Sequence, residues 1–307
     1  MSSYVQGSSS YGGDPAIFTV GNFDGVHQGH RRLIERTVEL AREAGVQAGV
    51  YTFDPHPRRL LQPTNSPPEI QTLSQRVELM KELGVDVVVV EHFSEQFAQR
   101  KPEWFANEVL VARLSAVGLV VGFDFRFGAG RGGNSELLRL ILPELPIEEI
   151  GPVEVNGVRA SSSRIREAVA EGRVEDAAAL MGRNFELIGE VVEGDGRGRG
   201  LGFPTANLMM EGELRPAHGV YAVRVVRESG ERLEGAANLG MRPTFDGRRF
   251  SAEIHMLDFS GDLYGERIRV EFVGRVRAER RFESADALVE QVREDVAAVR
   301  AMLAAAE

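Results

Sequence analysis

The chain has 307 residues, enough for two domains each with its own core, and carries 36 Lys and Arg against 46 Asp and Glu, a formal net charge of −10. The imbalance is even, with 19 basic and 24 acidic side chains in residues 1–183 and 17 and 22 in residues 184–307, so no basic block offers itself to nucleic acid or to a membrane surface. Cysteine is absent, which excludes disulfides, thiolate chemistry and Cys-ligated metals and fits a cytoplasmic address; no stretch reads as a transmembrane helix or as the apolar core of a signal peptide.

Residues 1–14, MSSYVQGSSSYGGD, are Ser/Gly-rich and are expected as a flexible tail. A β-forming run, Ala16 to Val20, then ends in Gly21-Asn22-Phe23, passes a turn at Gly25 and enters an amphipathic segment from near Gly29 to Ala44. Strand, glycine turn and helix start aim backbone N–H groups and the positive end of a helix dipole at an anion. His27 and His30, three residues apart, can face one bound group, which suits a polyphosphate whose charge changes during reaction. A lone histidine here would read as structural; two among Gly21, Asn22, Gly25 and Gly29 favour phosphate.

Short aliphatic runs then alternate with helical segments. Val46 to Phe53, Val85 to Val90 and Leu119 to Val121 read as strands, the second buried on both faces. Ser74 is expected to N-cap a helix running to Leu83, stopped by Gly84, and Lys101-Pro102-Glu103 opens another. This alternation predicts an α/β domain with a parallel sheet covered on both sides by helices and a ligand site at the carboxyl ends of the strands. The unusual residues fall at those ends: Asn22 to His30, then FDPHP with His56 and Pro57, then GFDFRFG with Asp124 and Arg126, followed by GAGRGG as a mobile loop. FDPHP is equally compatible with a plain turn, and the alternating aromatics with strand alternation or with a stacking wall for a purine or flavin. GAGRGG lacks the spacing of a dinucleotide fingerprint. Ser161, Ser162 and Ser163 precede a helix with Arg166 one turn in, a second anion site in which one serine alone would serve as a cap.

TVGNFDGVHQGH, TFDPHP, VGFDFRFG and SSSRIR, in this order and spacing, resemble the nucleotidyltransferase domain of prokaryotic bifunctional riboflavin kinase/FMN adenylyltransferases (FAD synthetases). Ala160 stands where the wider superfamily has Ile or Val, and Ser163 where it often has Thr. The family also carries an extra N-terminal strand, a place taken here by the Ser/Gly-rich residues. The resemblance implies a Rossmann-like domain over residues 15–183 with Gly21, Asn22, Phe23, His56, Pro57, Asp124, Arg126 and Ser161 to Ser163 around the nucleotide and flavin, and His27, His30 and Arg166 acting on the triphosphate.

After Gly182 strand-length runs with Gly-rich turns follow, at Phe185 to Glu193, Gly219 to Val226, Leu233 to Leu239, Ser251 to Phe259 and Arg267 to Arg277, the pattern of a closed antiparallel barrel. One long helix, Ser284 to about Ala305, would pack on its outside with Ser284 as N-cap. Glycines 194, 196, 198, 200 and 202 allow close backbone approach to a ligand, and Pro204-Thr205-Ala206-Asn207 then places a hydroxyl and an amide that can complete the oxygen shell of Mg²⁺ with ATP. With Ile254 facing the core, Glu253 and His255 share the other face. A salt bridge would explain Glu253 equally well, and Glu271 is a rival carboxylate.

GxGRGxxLGFPTAN, GVYA, NLGxRPTF, the ExHxLDF segment and LYG resemble the riboflavin kinase module, over residues 184–307. The resemblance implies Glu253 as the base for the riboflavin 5′-hydroxyl and Gly194, Gly196, Gly198, Gly202, Pro204, Thr205 and Asn207 as the ATP and Mg²⁺ site. The expected function is therefore phosphorylation of riboflavin to FMN and adenylylation of FMN to FAD, with FMN and FAD as substrate and product rather than redox cofactors. The alternatives are a kinase with an inactive or differently specific transferase domain and a non-enzymatic flavin-binding regulator. No exposed apolar stripe stands out, so a monomer or weak homo-oligomer is expected.

Overall fold

The computed structural model describes residues 4–194, 203–244 and 247–306, so Gly196, Gly198, Gly200 and Gly202 lie outside the described residues. Contacts divide the chain into two compact units, Met1–Ser162 and Ser163–Glu307.

The first unit is built on a six-stranded parallel sheet in the order β1-β4-β3-β2-β5-β6. Its strands are β1 (Val5–Gln6), β2 (Ala16–Val20), β3 (Gln47–Asp54), β4 (Val87–His92), β5 (Ala116–Gly122) and β6 (Ile147–Ile150). Alternate side chains serve opposite faces. Ile17, Val50, Val88 and Val120 pack under helices α1 (Gln28–Ala44) and α3 (Leu73–Glu82); α2 (Pro57–Leu61) lies between these helices in the chain. Phe18, Tyr51, Val89 and Val121 pack under Phe105, Val109 and Leu110 of the helix opened by Pro102–Trp104. Over Phe105–Arg113 that helix widens to π geometry, with the Leu114 N–H donating to the Val109 carbonyl.

Residues 4–14 are not the flexible tail expected from their composition. β1 adds to the sheet edge with Val5 in register with Val89, and Ser8 and Tyr11 are buried. Backbone pairing and a carboxylate contact order a segment that has little aliphatic content: the Ser8 N–H donates to Glu91, which also accepts the Tyr51 hydroxyl. Burial, with the Glu91 charge beside it, raises the Tyr51 hydroxyl far above its ordinary pKa. The α3 cap also differs from expectation. Thr72 rather than Ser74 caps it, because Gln75 completes a reciprocal capping box with Thr72. The GAGRGG segment is closed by a two-bond bridge between Phe127 and Gly133.

The second unit contains the closed antiparallel barrel β10-β13-β12-β11-β14-β9. Its strands are β9 (Phe185–Val192), β10 (Ala206–Met210), β11 (Gly219–Val226), β12 (Arg232–Thr244), β13 (Gly247–Met256) and β14 (Arg267–Ala278), while β7 (Glu154–Val155) and β8 (Val158–Arg159) form a separate hairpin in the first unit. Phe185, Tyr221 and Phe272 meet inside the barrel. A long C-terminal helix (Ala285–Ala305), capped by Ser284, covers the outer face with Val299 and Leu303 against Ala222. Arg277 clamps it through a bidentate pair with buried Asp295, at 2.8 and 2.9 Å. The contact boundary falls earlier than 183/184 because the helix Val174–Met181 sits on β14, where Glu175 accepts the Arg275 N–H at 3.0 Å.

Candidate active sites

In the first unit the turn after β2 is held unusually tightly. Phe23 and Val26 both adopt positive φ, 52° and 35°, a costly conformation for side chains of this kind. Buried Asp24 accepts the N–H groups of Ile70 and Gln71, while its own carbonyl accepts the Ser162 hydroxyl at 2.8 Å. A Cβ at Gly25 would fall 2.9 Å from Ile70, and the φ there is +85°, so both the space and the backbone conformation call for glycine. The turn delivers His27 as N-cap of α1: its Nδ1 accepts the His30 N–H at 3.3 Å, which leaves the proton of the neutral ring on Nε2. The His27 and His30 rings are stacked, with centroids 3.6 Å apart, and the edge of Phe23 meets His30. Two imidazoles and a helix N-terminus thus converge on one point, at the carboxyl end of the central strand.

The remaining expected residues of this unit take various places. Gly21 and Asn22 follow β2 directly, and Gly21 donates to the Tyr51 carbonyl. His56 is buried and caps α2, accepting the Arg58 N–H, with Pro57 as its first helical residue. Asp124 is exposed and pairs with Arg159 at 2.8 Å, whose guanidinium also lies over the Phe123 ring; Arg126 donates to the neighbouring Phe125 carbonyl. Of the three serines, Ser162 braces the Asp24 carbonyl and Ser163 is exposed. Arg166 is half-buried one turn into the helix Ser162–Ala170 and falls in the second unit.

In the second unit the register of three adjacent strands sets Asn207, Glu253 and Asn238 side by side, with Glu253 in the middle. The Thr205 hydroxyl donates to Glu253 at 3.4 Å. His255, two residues along the same face, grips the other end of the segment: its Nδ1–H donates to the Pro204 carbonyl at 2.8 Å, and its ring meets the edge of Phe203. Asn207 Oδ1 is buried with no hydrogen-bond partner among the described residues, an acceptor left for something else. Gly194 lies so close that a Cβ there would fall 1.9 Å from Asn207 Nδ2. Beside Thr205 opens a cavity of about 320 Å³ bounded by Val191, Pro204, Met256, Phe259 and Tyr264. Glu271 is elsewhere, paired with Arg232 at 3.2 Å on the outer face of β14.

Sequence reading missed β10, which is short and carries the exposed Met209, and so gave Ala206 and Asn207 no strand. It noticed His255 without seeing its grip on Pro204, and gave Asn238 no part. Strand alternation held the first signal; the second required the register between β12 and β13.

The comparisons with known proteins divide the chain similarly. A family model for FAD synthetase matches residues 13–164, and one for riboflavin kinase matches residues 181–303. The bifunctional riboflavin kinase/FMN adenylyltransferase of Escherichia coli (strain K12) is 39% identical over 281 residues, covering 91% of this chain and 90% of the relative. That of Listeria monocytogenes is 36% identical over 295 residues, covering 95% and 93%. A crystal structure described as a macrolide-efflux protein from Streptococcus pneumoniae superposes with a TM-score of 0.90 at 32% identity, covering 97% of this chain and 98% of that one. The efflux in that description is said of that protein; no helix among the described residues here is long and apolar enough to cross a membrane. With both halves matched and identity sustained across nine-tenths of its length, this chain belongs to the family of bifunctional riboflavin kinase/FMN adenylyltransferases.

Proposed function

We propose that the chain makes FAD in two ATP-dependent steps, one in each half, with residues 15–183 as the adenylyltransferase and 184–307 as the kinase. The observation that carries the kinase reading is Glu253 flanked by Asn207 on the adjoining strand β10 and by Thr205 just before it. Glu253 accepts the proton of the ribityl 5′-hydroxyl as that oxygen attacks the γ-phosphorus of ATP; the bond to the β-phosphate oxygen breaks and FMN and ADP leave. Thr205 serves as both a nucleotide contact and an orienting partner for the base. ATP occupies the cavity beside Thr205, whose size suits a small-molecule site.

Thr205 and Asn207 also fit Mg²⁺. The orphaned Oδ1 of Asn207 is a hard oxygen donor, and a magnesium ion takes few protein ligands besides phosphate and water. When bound it neutralises phosphate charge. The close packing at Gly194 fixes the amide that supplies the oxygen.

In the adenylyltransferase the FMN phosphate is already a nucleophile and needs no base. Its oxygen attacks the α-phosphorus of ATP and pyrophosphate leaves. The stacked His27 and His30 donate to the triphosphate, the α1 N-terminus opposes its charge, and Arg166 keeps the cationic role that its motif position gives it. Gly21, Asn22, Phe23 and the serines shape the phosphate side. His56 and Pro57 shape a wall through α2, and Asp124 and Arg126 border the flavin or purine. Composition without cysteine keeps the cytoplasm as the expected compartment.

The test is a product time course with riboflavin and MgATP resolving FMN, FAD, ADP and pyrophosphate. Glu253→Gln is expected to slow FMN formation about 100-fold or more while FAD still forms from supplied FMN, and His27→Ala to do the reverse. One substitution abolishing both activities in a folded protein would overturn the two-site reading.

A further inference from the structure

Arg76 is a cation with no part in the chemistry so far, yet it is 1% exposed, among the most deeply buried side chains of the molecule. Burying a guanidinium is costly unless its environment compensates. Here the compensation is incomplete: Nη1 donates to the Asn22 carbonyl at 2.7 Å, while Nε and Nη2 are buried without hydrogen-bond partners among the described residues. Glu69 lies in its field, and burial raises that carboxyl's pKa while the Arg76 charge works against the rise. A well-packed apolar residue on α3 would anchor the helix at lower cost, so the position of the guanidinium needs another reason.

The carbonyl it grips supplies one. Asn22 O also receives the Thr52 hydroxyl at 3.3 Å, so two donors from two different elements fix one peptide plane. Across a trans peptide the Phe23 N–H is thereby fixed in the opposite direction, and the strained residues Phe23 and Val26 lead directly from it to His27. Strained backbone of this kind persists only where its surroundings over-determine it. We propose that Arg76 is a positioning residue for adenylyl transfer, holding the Asn22–Phe23 peptide, and through it the His27 turn, in the geometry that meets the triphosphate.

The inference rests on the assignment of adenylyl transfer to the His27 turn, so His27→Ala is assayed in parallel. Arg76→Met removes the donor and the charge, Arg76→Lys keeps the charge without the fork, and Thr52→Val removes the second donor while leaving Arg76 in place. Displacing a reacting group by about 1 Å costs on the order of 100-fold. Arg76→Met is accordingly expected to lower kcat for FAD formation about 10- to 100-fold with KM for FMN within about 3-fold, Arg76→Lys to recover part of the loss, and Thr52→Val to lower kcat about 3- to 10-fold. Riboflavin phosphorylation, read in the same tube, stays unchanged and reports that the chain is intact. Should Arg76→Met not fold, Arg76→Lys and Thr52→Val decide. Folded variants with kcat for FAD formation within 2-fold of wild type would overturn the proposal. A loss confined to KM would also overturn it, since that marks a binding contact. If His27→Ala leaves FAD formation intact, the assignment of the site fails instead.

Discussion

Gly194 and Asn207 show how much a single missing Cβ decides. The amide nitrogen of Asn207 lies 1.9 Å from where a Cβ at Gly194 would stand, so Gly194→Ala cannot be accommodated without moving the Asn207 amide or the backbone before β10. The buried Oδ1 moves with it. Gly194→Ala is therefore expected to reduce riboflavin phosphorylation about 10-fold or more and to leave FAD formation from supplied FMN within about 2-fold, measured as initial rates with saturating MgATP. An unchanged kinase rate would show that the amide is not needed where it stands. At this scale the residue types of the candidate sites were legible and their partners were not. A histidine pair at i and i+3 announces a shared face, but the ring stacking and the Nδ1 cap depend on the backbone of one strained turn. Glu253 and Glu271 read alike in the sequence, since each occupies an outward position on a strand; register alone sets the first beside Asn207 and gives the second to Arg232.

Among elements, the barrel strands were legible where apolar alternation ran seven or eight residues, as in β14, and invisible in β10, whose five residues are too few to show a period. Edge strand β1 was hidden for a related reason: two residues paired by backbone hydrogen bonds leave no side-chain period to read. The barrel is also held by ion pairs that make an element-level prediction. Arg227, at the end of β11, donates to both oxygens of Glu266, just before β14, at 3.0 and 2.8 Å. These hydrogen bonds are the main reason that the Glu266 carboxyl titrates below its ordinary value of 4.5. A depressed carboxylate stabilises the folded state above its unfolded pKa, and that contribution disappears as the pH falls through the lower folded value. Glu266→Gln should thus lower the thermal midpoint at pH 7, by an amount corresponding to about 1 kcal/mol for a partly exposed pair, and the two proteins should converge as the pH is taken well below 4.5. A gap that persists in acid would assign the effect to packing instead.

For the whole molecule the decisive property is that two kinds of phosphoryl chemistry are attached to unlike scaffolds. A parallel sheet gathers its strand ends and helix N-termini along one edge, which suits recognition of a triphosphate by dipoles and imidazoles. A closed barrel instead presents a rigid outer face on which neighbouring strands set a base next to an amide and a hydroxyl. FMN is the product of one scaffold and the substrate of the other, and the residues proposed for the kinase step, Thr205, Asn207 and Glu253, lie in a different unit from His27 and His30. This separation predicts complementation between molecules. Glu253→Gln alone should form FAD from riboflavin about 100-fold more slowly than the wild type, limited by its residual FMN supply, and His27→Ala alone should accumulate FMN with FAD formed about 100-fold more slowly. Mixed in equal amounts with riboflavin and MgATP, the two variants should form FAD after a lag in which FMN accumulates, since each supplies the step that the other lacks. The lag should shorten in proportion as the His27→Ala protein, the source of FMN, is increased. A mixture that makes FMN but no FAD, although the Glu253→Gln protein converts added FMN, would mean that FMN is retained by the chain that made it. A mixture making neither product would mean that the two residues serve a single site.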